Sequence, residues 1–444
     1  MTIESPSAAL FKRAQKVLPG GVSRNTIFRL PHPLYADHAK GPYVTDIEGR
    51  QHLDFANNMA SLIHGHAHPV VTQAIIEQVQ KGTAFTLGTE LEVQYAELLC
   101  ERVVSFEQLR FVNSGTEAVM AMIKTARAFT KKVKIAKVEG AYHGAYDYAE
   151  VSQTAKPANW GEKDAPNAVP VAVGTPEGAL DDVIIIPYND PDNALKILDQ
   201  HKHEIGGILL DPVSHRVGMV PATHAFVEAL YSWSREHNAL LMFDEVITFR
   251  AAYGGAQEAY SVKPDLTALG KMIGGGFPVG AIAGRKDVMA VLNPMADKVL
   301  LPHSGTFSAN PVTMIAGLTS MQLFDQDAVN KLNDLGDYTR TEIDQLIQQL
   351  GIKACVTGLG SMFRIHFKAS PPCNYREAYA NEVETNATKQ LVKGLENGGY
   401  MMINTGSGML STVMDKSVIN DFIQALKTVF EQILIDYPNL KTES

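Results

Sequence analysis

At 444 residues the chain is too long for one compact domain and holds about two to three domains' worth of sequence. Its composition, 45% hydrophobic and 20% charged, is that of a globular protein with a large core. A formal net charge of −9, without any Lys/Arg-rich run, argues against non-specific nucleic-acid binding.

In chain order, "MTIESPSAALFKRAQKVLPGG" has no basic start followed by an apolar core, so no secretory signal is read there. "HGHAHP" carries His64, His66 and His68, but Gly65 and Pro69 read as a turn and no cysteine or carboxylate adjoins them; no metal site is expected. From "LRFVN" onward, short apolar runs alternate with helix-like segments. The helix-spaced "SGTEAVMAMIKTARAF" follows that first run. "VKIAKVEG", "VIIIPY", "IGGILLDPV" and "ALLMFDEV" then come at intervals that leave room for crossover helices such as "HAFVEALYSWSREHN". This alternation predicts an α/β domain with a mostly parallel sheet covered by helices.

Residues 299–324 contain no Asp, Glu, Lys or Arg, yet Pro302, His303, Asn310 and Pro311 break any spanning pattern, and no membrane helix is expected. Beyond residue 312, long helical patterns such as "SVINDFIQALKTVFEQILIDY" flank short strands such as "SMFRIHF". The expected organisation is a large α/β domain over 61–311 and a smaller α+β domain over 312–444, with the N-terminal segment 1–60 packing on the smaller one. Cys100, Cys355 and Cys373 are scattered and odd in number; they form no disulfide or metal framework and point to a reducing, cytoplasmic setting.

In sheets of this kind, ligands bind beyond the carboxyl ends of the strands. Asn113-Ser114-Gly115-Thr116, in "FVNSGTEA", separates an apolar strand from a helix. Small residues there admit backbone N–H groups to a phosphate at the positive helix end, although a plain N-cap is the simpler alternative. "LLMFDEV" ends its strand in Asp244-Glu245. A P-loop hydrolase would need GxxxxGK[ST], which the chain lacks, and "GGGFPVG" does not have GxGxxG spacing. A carboxylate buried at a strand tip needs a cationic or hydrogen-bonding partner.

Lys271 stands alone in the apolar, glycine-rich run "DLTALGKMIGGGFPVGAIAG". A lysine, a buried acid and a phosphate-cradling helix start together are what pyridoxal 5′-phosphate requires. The amine forms a Schiff base with the aldehyde, the acid keeps the ring nitrogen protonated, and the helix start holds the phosphate. Desolvation lowers the lysine's pKa and frees its amine for proton transfer.

The ordered set "FVNSGTEA", "EGAYHG", "FDEVITFRAAYGGAQE", "PDLTALGKMIGGGFPVGAIAG" and "HSGTFSANP" resembles the class III aminotransferases of fold type I. Within them it is most similar to glutamate-1-semialdehyde 2,1-aminomutase and its transaminase relatives. The likeness runs from "LPGGVSR" into the C-terminal domain. It implies a fold type I PLP-dependent transferase with Lys271 as the Schiff-base lysine and proton shuttle, and Asp244 on the pyridinium nitrogen. Val246 would pack under the ring, with Tyr142 stacked on it and His143 close by. Ser114, Gly115 and Thr116 would bind the phosphate. Thr306 would reach the phosphate of a neighbouring subunit, which implies a homodimer with shared active sites.

Three departures bear on the reaction. Asp211-Pro212 replaces the usual Glu-Pro and continues into "VSHRVG", so His215 or Arg216 stands where the aminomutase offers an asparagine to the ring hydroxyl; Asp211 and Arg216 are read as cofactor contacts and His215 as a substrate contact. "DEVITFR" is one residue shorter than the aminomutase's "DEVxTGFR". Gly406, in "NTGSGMLS", aligns with the aminomutase's substrate-side glutamate. These favour a transaminase that moves an amino group between an amino acid (β-amino acids included) or amine and a keto acid or aldehyde. The aminomutase, which gives 5-aminolevulinate by intramolecular transfer, is the alternative. Arg24, in "GGVSRNTIF", is the candidate clamp for a substrate carboxylate, because its fork pairs bidentately with one; a surface salt bridge is the bland alternative.

Overall fold

The computed structural model describes residues 5–442. Seven strands form the large sheet in the spatial order Gln108–Val112, Gly280–Gly284, Leu266–Gly270, Leu240–Asp244, Ile205–Leu210, Lys134–Val138 and Val183–Ile186. Within this sheet only Gly280–Gly284 runs antiparallel to its neighbours. The exception has a simple cause: the link from residue 271 to 279 is too short for a crossover helix. Ile205–Leu210, Leu240–Asp244 and Leu266–Gly270 are buried along their whole length. Such continuous burial is the pattern of a sheet covered on both faces.

Helix Gly115–Thr130 begins where the sequence places it. Ser114 is its N-cap, its Oγ accepting the Glu117 N–H at 3.1 Å. The helix buries Ala118, Val119, Ala121, Met122, Ile123 and Ala126 on the sheet. It ends at Lys131, whose φ of 58° takes the chain out of the helix.

Apart from two short two-stranded ribbons, the remainder of the described chain builds two smaller sheets. Ala36–Lys40, Tyr43–Asp46 and Gln51–Asp54 form an antiparallel set joined in parallel by Tyr400–Met401. Cys355–Thr357, Met362–His366 and Ser407–Met409 form the second. Long helices Gln326–Leu350, Glu382–Asn397 and Lys416–Asp436 cover them. Phe55, Phe363 and Phe422 meet in the shared core, with ring centroids 4.7 to 5.9 Å apart. The result is a large α/β unit joined to a smaller α+β unit.

Arg250, the arginine of "DEVITFR", ties these parts together from full burial. Its guanidinium donates to Ser361 Oγ at 2.9 Å, to the Ala60 carbonyl at 3.3 Å and to the Leu410 carbonyl.

"HGHAHP" is a turn, and two of its imidazoles, His64 and His66, hold it to the rest of the chain. His66 bonds Asp54 at 2.9 Å. His64 contacts the Ser320 carbonyl at 2.9 Å and Thr412 Oγ1 at 2.8 Å. A carbonyl only accepts, so His64 carries a proton on Nε2, and in the neutral form its Nδ1 accepts from the Thr412 hydroxyl. Burial, together with neighbouring His68, pushes its pKa down to about 4 despite the favourable carbonyl. A histidine depressed in the native state is protonated first in the unfolded chain. Native stability therefore falls as pH drops from about 6.5 toward 4, by up to about 3 kcal/mol for this group. Urea midpoints across that range should fall less steeply in His64→Gln than in the wild type; parallel profiles would contradict this.

Candidate active site

Five segments that leave the carboxyl ends of parallel strands converge. Asn113–Thr116 follows Gln108–Val112, residues 139–144 follow Lys134–Val138, and Asp211 follows Ile205–Leu210. Asp244 closes Leu240–Asp244, and Lys271 follows Leu266–Gly270. Together they line a cavity of about 550 Å³ that holds Ser114, Gly115, Thr116, Tyr142, His143, Asp211, Asp244, Val246, Lys271 and Arg24.

One end of this cavity is a close-packed helix start. A Cβ on Gly115 would come within 2.8 Å of Val246 Cγ1, and one on Gly144 within 2.5 Å of Thr116 Oγ1. Glycine at 115 thus lets the helix N-terminus and Val246 approach each other. At the other end Asp244 Oδ2 meets His143 Nδ1 at 2.8 Å, while Asp244 Oδ1 accepts the Val246 N–H at 3.0 Å. His143 is wholly buried, and its Nε2 has no partner. Burial lowers the His143 pKa while Asp244 pulls it up.

Lys271 has a φ of 50°, and its side chain reaches into the cavity. Burial holds its amine below the usual lysine range, against the pull of Asp244 and Asp211. Asp211 is driven the other way: burial first, and facing Asp244 second, push its carboxyl well above the usual range. Two acids in one pocket thus have different environments. Asp244 is fixed by an imidazole, whereas Asp211 accepts only backbone N–H groups, that of Val213 at 3.1 Å among them.

Some expected residues stand apart. His215, Arg216 and Thr306 do not line this cavity. His215 Nε2 lies 3.3 Å from Thr405 Oγ1, and its carbonyl accepts from Arg364 at 2.8 Å. Burial and the charges of Arg364, Arg216 and Lys271 push the His215 pKa down to about 3. Thr306 is exposed on the loop before helix Pro311–Leu323.

Other wall residues escape the sequence reading. Asn58, Met59, Phe277 and Pro278 complete the cavity, and Arg24 Nη1 donates to Asn58 Oδ1 at 2.9 Å. Residues 57–60 all have positive φ, from 43° to 71°, without a glycine among them. The paired asparagines of "FANNMAS" were the available signal, since asparagine tolerates the left-handed region better than most residues.

Comparison with known proteins accounts for this geometry. The model of the family "Aminotransferase class-III" matches residues 29–434, and the chain belongs to that family. It is 40% identical to glutamate-1-semialdehyde 2,1-aminomutase 2 of Lachnoclostridium phytofermentans, over 84% of this chain and 86% of that one. Four archaeal proteins at 35 to 39% identity are also named glutamate-1-semialdehyde 2,1-aminomutase. Among solved structures, an omega-transaminase from Sphaerobacter thermophilus is 42% identical, with a TM-score of 0.95 over 97% of this chain and 98% of that one. A beta-phenylalanine aminotransferase from Variovorax paradoxus is 30% identical, with a TM-score of 0.87 over 99% and 95%.

The chain is therefore an enzyme of pyridoxal-phosphate-dependent amino-group transfer. Its own residues fit the cofactor. A helix start stripped of side chains at Gly115 suits a phosphate, the imidazole-fixed acid suits a pyridine nitrogen, and the desolvated amine suits an aldehyde. Gly115→Ala should raise the PLP dissociation constant on the order of tenfold, because overpacking here costs about 1–3 kcal/mol. Adding Val246→Ala should recover most of it. Reconstitution of apo-protein followed by absorbance measures both.

Proposed function

We propose that Lys271 carries the Schiff base and moves the proton, that Asp244 holds the ring nitrogen, and that Arg24 clamps a substrate carboxylate. The observation that carries this reading is the desolvated Lys271 amine in one cavity with the Asp244–His143 pair and the start of helix Gly115–Thr130. When bound, the cofactor supplies an electron sink for the carbon that bears the amino group.

This chain's residues do the rest. Burial lowers the Lys271 pKa and so favours its free-amine form, with Asp244 and Asp211 close enough to oppose the shift. His143 orients Asp244 through its Nδ1 proton. The Ser114–Thr116 backbone and the helix dipole neutralise the phosphate. Tyr142, half exposed at the cavity, is offered to one face of the ring and Val246 to the other. Asp211 lines the cavity beside Asp244 and would face the ring hydroxyl, whereas His215 and Arg216 lie outside the lining and act only as neighbouring charge and support. Thr306 and the exposed apolar residues Leu30, Leu87, Met295 and Phe307 support a homodimer with shared sites. The free cysteines support a cytoplasmic setting. Among the described residues no helix is long and apolar enough to cross a membrane.

Two outcomes follow from one chemistry. The five curated relatives named above, each called an aminomutase, speak for intramolecular transfer on glutamate-1-semialdehyde more directly than for intermolecular transfer. The omega-transaminase at 42% identity and the glycine at 406 speak for a transaminase, and the beta-phenylalanine aminotransferase at 30% speaks for a carboxylate-bearing donor. Both need Lys271 and an arginine for the carboxylate.

Lys271→Ala should abolish turnover and leave no borohydride-trapped adduct at this position; sustained turnover would refute the assignment. Arg24→Met should raise KM for carboxylate-bearing substrates roughly ten- to a hundredfold, the value of a charged hydrogen-bonded pair, and leave simple amines unaffected. Incubation with glutamate-1-semialdehyde decides between the outcomes. Formation of 5-aminolevulinate without an added donor establishes the mutase, and its absence, with turnover of β- or ω-amino donors, establishes the transaminase.

A further inference from the structure

A second lysine near the site has no part in the scheme above. Lys137 lies on strand Lys134–Val138 and is 0% exposed. An ammonium in such surroundings is expensive unless its protons are used. Among the described residues no carboxylate is within bonding distance of it: nearby Glu139 is taken by Arg376, at 2.9 and 3.1 Å. Instead Lys137 Nζ contacts three backbone carbonyls, those of Val151 at 2.7 Å, Ala141 at 3.1 Å and Val138 at 3.3 Å. The three acceptors match the three N–H groups of the charged amine, and a neutral amine would leave one of them unpaired.

The position of these carbonyls gives the contacts their meaning. Val138 and Ala141 bracket the start of the loop that presents Tyr142 and His143 to the cavity. Two glycines at positive φ, Gly140 (75°) and Gly144 (90°), punctuate that loop, so its own backbone does little to hold one conformation. Val151 belongs to the segment behind it, where Ser152 receives the Gly140 N–H at 3.0 Å. On the far side the Tyr375 ring leaves no room for a side chain at Gly140, since a Cβ there would lie 2.0 Å from the ring. Lys137 is thus the inner clamp of a loop whose outer clamp is Tyr375 and Arg376. The charged groups that couple to it are Arg216, Glu139 and His143. Burial and Arg216 push its pKa down to about 7, and Glu139 resists.

We propose that Lys137 is a positioning residue: its buried ammonium fixes the 138–144 loop by three carbonyls, setting Tyr142 and His143 against the cofactor and adding a positive charge behind the His143–Asp244 pair. The proposal rests on the cofactor reading above. It separates two effects, a hydrogen-bonding one on loop geometry and an electrostatic one on the ring side of the site.

Lys137→Met removes the donors and the charge; Lys137→Gln keeps two N–H groups and loses the charge. Circular dichroism and the thermal midpoint check that each variant folds. PLP dissociation constants come from titration of apo-protein, and the pKa of the Lys271 Schiff base comes from its absorbance against pH. The Met variant should bind PLP at least tenfold more weakly and the Gln variant less so. Both should show the Schiff-base pKa moved upward, because a repelling positive charge has gone. Folded variants with wild-type affinity and an unmoved pKa would overturn the proposal. So would failure of both to fold, which would make Lys137 a residue of the fold alone. Wild-type protein that takes up no PLP would overturn the cofactor reading instead, a separable result.

Discussion

The site is organised by one hydrogen bond, between His143 and Asp244. A carboxyl at the end of a fully buried strand costs much to desolvate, and the imidazole supplies the compensation. In doing so it fixes the direction in which the acid points. The remaining geometry follows from the sheet. Asp244 is in register with Ala268, two residues from the end of the neighbouring strand, so Lys271 emerges beside it. Gln108–Val112 lies two strands away, across Gly280–Gly284, and its continuation brings Ser114–Thr116 to the same rim. Strand order brings acid, amine and helix start to one rim, and the His143 hydrogen bond then sets the acid's direction.

This explains which parts could be read from the sequence. Lys271, Asp244 and Ser114–Thr116 each sit in a local pattern whose chemistry is unusual for its surroundings: a lysine among glycines, an acid after an apolar run, small residues at a strand-to-helix turn. The helix over Gly115–Thr130 and the buried strands were legible for the same reason, since apolar spacing reflects burial directly. The lone antiparallel strand was not legible, because "GAIAG" looks the same in either direction and only the length of the preceding link decides.

Long-range partners were hidden. Nothing near Arg24 in sequence announces Asn58, and nothing near Lys137 announces Val151. The histidines of "HGHAHP" look like a ligand set by count, yet their partners come from Asp54, Ser320 and Thr412, the last two far along the chain. Similarly, "VSHRVG" displays its cations, but not that His215 is turned to Thr405 and Arg364 outside the wall around Lys271. Composition reveals which groups are present, whereas tertiary packing decides what they face.

Charge is distributed in a way that serves the amine. The chain as a whole is acidic, with a formal net charge of −9. Its deeply buried cations nevertheless tend to bond carbonyls: Lys137 holds three, Arg250 two together with a serine hydroxyl, and Arg102 those of Tyr253, Met321 and Phe324. A carbonyl satisfies a donor without cancelling its charge. Lys137 and Arg364 therefore keep their charge near the site; burial is the main cause of the depressed His143 and His215 pKa values, and these charges, with Arg216 beside His215, add to it. Had acids paired with these cations, that field would be neutralised. As built, it opposes protonation of further bases while favouring a phosphate and a substrate carboxylate. Burial lowers the pKa of the Lys271 amine, and the uncancelled cations around the site attract the anions on which that amine acts.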